Sequence, residues 1–146
     1  MNRRTFLSTS AGIALAGPAF AADEVKKPIL KKAVKYGMIG EGKTVLDKFE
    51  LVKKLGFEGV EIDSPSGLNL EEANEAQKKT GVKIHGVIDS VHWRDTLSHP
   101  DEKVRAKGLA ALIGAIKDAK TVGADTVLLV PGVVNKSVSY DECYAR

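Results

Sequence analysis

From Val34 onward, apolar and polar positions change period several times along the chain. Val34–Ile39, Gly59–Asp63, Val82–Ile88 and Asp125–Pro131 are short runs rich in β-branched and aliphatic residues, and they read as strands. Between them, apolar residues recur every three or four positions, which predicts helices over 44–55, 70–80 and 101–122. In the first helix Val45, Phe49 and Val52 share a face, with Leu46 and Leu55 on its shoulders. The second has a thinner stripe of Leu70, Ala73, Ala76 and Thr80. The third is expected to turn Val104, Leu109, Leu112, Ile113, Ile116 and Ala119 inward, with Lys107, Lys117 and Lys120 mostly outside. Gly56, Gly81 and Gly123 follow the three helices, where glycine accepts the left-handed cap conformation. Ser98 or Asp101 is the expected cap of the third helix, and His99 and Pro100 read as a turn.

Strict alternation of strand and helix with short loops implies parallel strands joined by crossovers. The fold class expected is α/β, as the first four βα units of a (β/α)8 TIM barrel. A whole barrel needs eight strands and roughly 250 residues, against 146 here. In such folds the loops after the carboxyl ends of the strands carry the chemistry. That rim comprises 38–43, 61–66, 85–93 and 131–135.

The chain opens differently. Arg3 and Arg4 precede an apolar run to Ala16, followed by Ala19, Phe20 and Ala21 in a small-x-small arrangement. This resembles a twin-arginine signal peptide over 1–21, with export to the periplasm as its implication. The run is shorter than the ~20 apolar residues that span a bilayer. Residues 22–33 are polar, contain Pro28, and read as a linker; 34–146 form the fold. The formal charge is +3, and without Arg3 and Arg4 the remaining 20 basic side chains face 19 acidic ones. No basic stripe remains to attract nucleic acid or an anionic membrane. The single cysteine, Cys143, cannot form an internal disulfide.

One loop carries a rival signal. Gly37 through Thr44 fits G-x-x-x-x-G-K-[ST] between a strand and a helix, where a phosphate-cradling loop belongs. Lys43 would then meet the phosphates and Thr44 a magnesium ion. The preceding Lys32–Tyr36 is too charged for a central buried strand, so nucleotide binding is the lesser alternative.

Leu55 through Glu61, Gly81 through Val87, Arg105 through Leu109 and Ala119 through Gly132 together resemble the sugar phosphate isomerases and epimerases with the xylose-isomerase-like barrel. The resemblance spans 34–146. It implies a divalent metal (Mn, Mg, Co or Zn) and ketose epimerisation or aldose–ketose isomerisation by proton transfer through an enediolate. It also implies metal ligands at the ends of strands four to eight, the first about one βα unit past Arg146. None of these ligands transfers to a residue of this sequence, so the chain alone is expected to be inactive. A small sugar or sugar phosphate is the expected partner, with homo-oligomerisation open.

The candidate catalytic residues are Glu61, near the end of the second strand, and His85, within the third. A carboxylate and an imidazole on neighbouring strands can hold hydroxyls or relay protons; a polar pair inside the barrel and a satisfied core histidine are the structural alternatives. Asp63, His92, Trp93 and Arg94 are the candidate substrate-binding residues. Trp93 can stack on a sugar face, or simply cover the barrel mouth. His85, His92 and His99 lack the spacing of a zinc site, so no metal ligand is assigned. A non-catalytic sugar-binding or assembly module is the alternative of a different class.

Overall fold

The computed structural model describes residues 30–146; the expected signal segment and most of the linker lie outside the described residues. The elements are β1 (Ala33–Lys35), a 3-10 turn (Tyr36–Met38), α1 (Val45–Lys54), β2 (Gly59–Ser64), α2 (Leu70–Thr80), β3 (Lys83–Asp89), α3 (Glu102–Val122), β4 (Thr126–Leu128) and α4 (Tyr140–Ala145). The strands form one sheet in the order β1-β2-β3-β4, every neighbouring pair parallel. This sequential order is that of an α/β barrel wall and agrees with the expected fold class.

Helix boundaries follow local chemistry. The Thr44 hydroxyl accepts from the Asp47 amide at 3.1 Å, and the Asp47 carboxylate answers the Thr44 amide at 3.0 Å, a capping box. Asn69 caps α2, and Asp101 caps α3 through the Lys103 amide at 2.8 Å. Gly81 and Gly123 end α2 and α3 with φ of 77° and 70°.

Val34, Val60, Ile62, Ile84, Val87 and Val127 pack with Phe49, Val52, Ala73, Ala76, Ala115, Ala119 and Val122 into one core between the sheet and its helices. The expected inward face of α3 holds at Ala119, which is buried, and in part at Val104 and Leu112, which are half-buried; it is corrected at the other three residues. Its buried residues are Gly108, Ala115, Ala119 and Val122, while Leu109, Ile113 and Ile116 are 51%, 45% and 52% exposed. At Gly108 there is room for no side chain: a Cβ there would collide with the Asp95 carbonyl.

The outer strands are shorter than expected. The chain leaves β1 into the 3-10 turn at Tyr36, whose ring packs on Phe49 with centroids 6.3 Å apart. β4 ends at Leu128; beyond it the Val130 amide donates to His92 Nδ1 at 3.2 Å, and Pro131 has no amide hydrogen to offer.

Candidate functional site

The face of the sheet away from the helices carries a polar strip beside the apolar Ile88 and Leu128. Lys35 of β1 meets Asp63 of β2 at 2.9 Å. Glu61 of β2 lies 4.0 Å from His85 of β3, oxygen to Nε2. The register between these strands slips at Val60: Val60 pairs with Ile84 but Glu61 pairs with Gly86, so His85 is the extra residue of a bulge. The bulge sets the imidazole beside the carboxylate, and Gly86 leaves room for it. A Cβ at Gly86 would stand 3.3 Å from Glu61 Oε1 and 2.9 Å from Thr126 Oγ1. The Thr126 hydroxyl donates to the His85 carbonyl at 3.2 Å. His85 Nε2 is enclosed and lacks a hydrogen-bond partner within the protein. At 4.0 Å the pair is in ionic reach but unbonded; a shared proton needs an approach of about 1 Å.

The candidate residues divide between the two ends of the sheet. His85 borders a cleft of about 340 Å³ at the amino ends of the strands, with Gly59, Lys83 and Asp125. Asp63 lies at the carboxyl rim, in a cleft of about 470 Å³ shared with Tyr36, Gly37, Ser66, Asn69 and Glu72. Burial and the negative charge of Glu72 push the Tyr36 hydroxyl's pKa above its usual value. Tyr36 and Glu72 were not singled out by the sequence. Tyr36 read as strand interior, and Glu72 reads only as an exposed first-turn acid of α2.

The loop after β3 separates its three candidates. His92 is 4% exposed and spends Nδ1 on the Val130 amide. Trp93 is 67% exposed and meets the His92 ring edge-on, with centroids 5.5 Å apart. Arg94 forks onto Asp95 at 3.2 and 2.8 Å, which raises the guanidinium's pKa and lowers the carboxylate's. His92 is thus a structural latch, Trp93 an open platform, and Arg94 an already paired cation. His99 stays in its turn, accepting from the Asp101 amide at 3.0 Å.

The phosphate-loop pattern has other employment. The Lys43 and Thr44 amides both donate to Asp47 Oδ2, at 3.1 and 3.0 Å. A carboxylate therefore sits where a phosphate would have to bind. Among the described residues β1 is also only three residues long and pairs with β2 alone. Among the described residues no three His, Cys, Asp or Glu side chains converge on a point, so the implied divalent metal finds no ligand set here.

The sequence profile described as xylose isomerase-like TIM barrel matches residues 49–146, and the chain belongs to that family. It is 31% identical over 116 residues to the L-ribulose-5-phosphate 3-epimerase UlaE of Escherichia coli K12, covering 69% of this chain and 41% of the epimerase. A probable endonuclease 4 of Campylobacter concisus is 30% identical over 74 residues, covering 51% of this chain and 26% of that protein. Among solved structures, the 3-keto-D-glucoside 4-epimerase YcjR of E. coli superposes with a TM-score of 0.58 at 24% identity, over 70% of this chain and 39% of that one. The chain thus spans about 41% of the length of the curated epimerases it matches.

Proposed function

We propose that this chain forms one half of a barrel that isomerises or epimerises a small sugar or sugar phosphate. The observation that carries the reading is the polar strip of Lys35, Glu61, Asp63, His85 and Thr126 on the open face of the sheet. Interiors of (β/α)8 barrels are filled mainly by branched apolar side chains. Charged groups on that face, in a family whose matched relatives include sugar epimerases, support a site for a polyhydroxylated ligand. In this reading Asp63 and Tyr36 bind hydroxyls at the rim, Trp93 offers a stacking face, and Glu61 with His85 moves or holds a proton deeper in the barrel. The metal ligands implied by the family resemblance would come from βα units other than those described, and no step is assigned to a metal here. The Arg3–Arg4 opening supports export to the periplasm; protein recovered from that compartment is expected to begin at Ala22.

Epimerisation and isomerisation both remove a proton from the carbon beside a carbonyl. The protein carrying these residues, incubated with a divalent metal and a ketose or its phosphate in deuterated water, should introduce deuterium at that carbon. No exchange across a panel of pentuloses, hexuloses and their phosphates would sink the enzymatic reading. Saturable binding without exchange would instead fit a non-catalytic sugar-binding module.

A further inference from the structure

Charge in this fold is sorted by end. The helices run back against the parallel strands, and loops of two to four residues join α1, α2 and α3 to the strands that follow them. Each of these helices therefore ends at the level where a strand begins. Lys53 and Lys54 close α1, Lys78 and Lys79 close α2, and Lys120 stands in the last turn of α3. Lys31 and Lys32 lead into β1 and Lys83 opens β3; these three line one cleft at the amino ends of the strands. Lys32 ties that cleft to the end of α1, its ammonium 5.3 Å from the centre of the Phe57 ring. All eight residues are exposed. Over 31–33, 53–59, 78–84 and 120–126 they face two acids, Glu58 and Asp125. The Glu58 carboxylate accepts from the Lys32 backbone amide at 2.7 Å. Among the described residues, only Lys78 of the eight forms an ion pair, with Glu75 at 2.7 Å. The opposite rim, 36–47, 64–72, 89–103 and 129–139, holds eight acids against four basic side chains.

We infer that the amino-terminal end of this wall is a docking surface for a bilayer carrying anionic phospholipid, with the carboxyl rim turned toward solvent. Lysines in the last turn of a helix also offset its dipole, but Lys31, Lys32 and Lys83 end no helix. Along the sequence the eight lie in four short groups, and the net charge of +3 conceals them; folding gathers them on one end. The kind of cation selects the partner. Lysine is a point charge on a flexible stem and suits a diffuse layer of lipid phosphates. Nucleic-acid surfaces add arginine forks and exposed aromatic rings. This end has no arginine, and its one ring, Phe57, is half-buried beneath Lys32. The route of the chain agrees with a bilayer. Lys26 and Lys27 precede Lys31 in the sequence, so the polypeptide enters the fold at this end, behind the 1–21 segment that reads as an export signal. Each lysine that reaches an anionic leaflet strengthens attachment roughly fivefold, and salt screens it. The inference stands apart from the sugar reading and holds for a catalytic or a non-catalytic barrel alike.

The test is vesicle flotation of the whole 146-residue chain, which lifts bound protein and leaves self-associated protein behind. Vesicles of mixed phosphatidylglycerol and phosphatidylcholine should float the chain at about 0.1 M salt and release much of it at about 1 M. Vesicles of phosphatidylcholine alone should float far less. Lys53→Gln, Lys54→Gln and Lys83→Gln together should weaken attachment to the anionic vesicles more than about tenfold. Lys43→Gln, Lys103→Gln and Lys136→Gln remove the same charge from the carboxyl rim and should leave attachment unchanged. All six lysines are exposed, so both triple variants should fold, as checked by urea unfolding. Residues 1–21 are common to every variant, so the comparison isolates the lysines. No flotation with the anionic vesicles, no preference for them over neutral ones, or equal effects of the two triple changes would overturn the surface. Duplex DNA bound more tightly than the anionic vesicles at the same salt, and released by the first triple change alone, would assign this end to nucleic acid and overturn the lipid reading.

Discussion

Gly86 is the residue on which the Glu61–His85 pairing depends. A methyl group there would crowd Thr126 Oγ1 at 2.9 Å and Glu61 Oε1 at 3.3 Å, both on a strand interface with little freedom to yield. Gly86→Ala is therefore expected to destabilise the fold by about 1–3 kcal/mol, in the range of overpacked sites, as read from urea unfolding. Asp47 gives a second test. Its folded pKa lies below the ordinary 3.8 because the Thr44 backbone and side chain, then Lys43, stabilise the carboxylate. A depressed pKa means the contribution is full above 3.8 and is lost as pH falls through the lower folded value. The protection of the Lys43 and Thr44 amides, measured against their intrinsic exchange rates, should fall only in that acid window, and Asp47→Asn should remove the dependence. The phosphate-loop spelling was legible in the sequence. Its cancellation was legible only in hindsight, as an aspartate three residues after Thr44. The split of His92, Trp93 and Arg94 into latch, platform and closed pair was not legible, because loops have no period from which burial can be read.

At the scale of elements, the central strands emerged almost to the residue while the outer two were trimmed. β2 and β3 each have a neighbour on both sides, so their apolar runs stay paired throughout. β1 and β4 have one described neighbour each, and their ends give way to a ring contact by Tyr36 and to the His92 latch. Helix α3 shows the opposite weakness: its extent was readable and its face was not. Size favoured the Leu109–Ile113–Ile116 side, but the residues buried are Gly108, Ala115, Ala119 and Val122, and at Gly108 the Asp95 backbone leaves no room for a side chain. Two glycines of the same helix test this account with opposite signs. Nothing lies within 4 Å of a Cβ added at Gly114, so Gly114→Ala should stabilise by up to about 1 kcal/mol through helix propensity. Gly108→Ala gains the same propensity but drives its methyl into the Asp95 carbonyl. The overpacking cost of roughly 1–3 kcal/mol should outweigh the gain, giving net destabilisation in the same urea assay.

The described residues form a four-stranded parallel wall, with helices on one face and a polar strip on the other. The family was legible at this scale because order and spacing of βα units survive wherever single motifs are weak. Substrate and metal were not, since those depend on side chains that must converge from many units. The surface nonetheless makes a definite claim about behaviour in solution. Leu109, Ile113 and Ile116 are spaced by four and three residues on α3, so they line one exposed stripe. Leu128 lies half exposed on edge strand β4, whose backbone is paired on one side only among the described residues. Exposed apolar stripes and unpaired strand edges both favour association. The chain expressed by itself should therefore self-associate at micromolar concentration. The stripe and the edge can be separated by the double change Ile113→Lys with Ile116→Glu, which sets opposite charges three residues apart on the exposed face. Since both isoleucines are about half exposed, unfolding free energy should move by no more than about 0.5 kcal/mol, the scale of surface substitutions. Sedimentation velocity should show the doubly changed chain shifted toward monomer if the stripe drives association. An unchanged distribution would assign association to the open strand edge, and a monomeric wild-type chain would refute the expectation altogether.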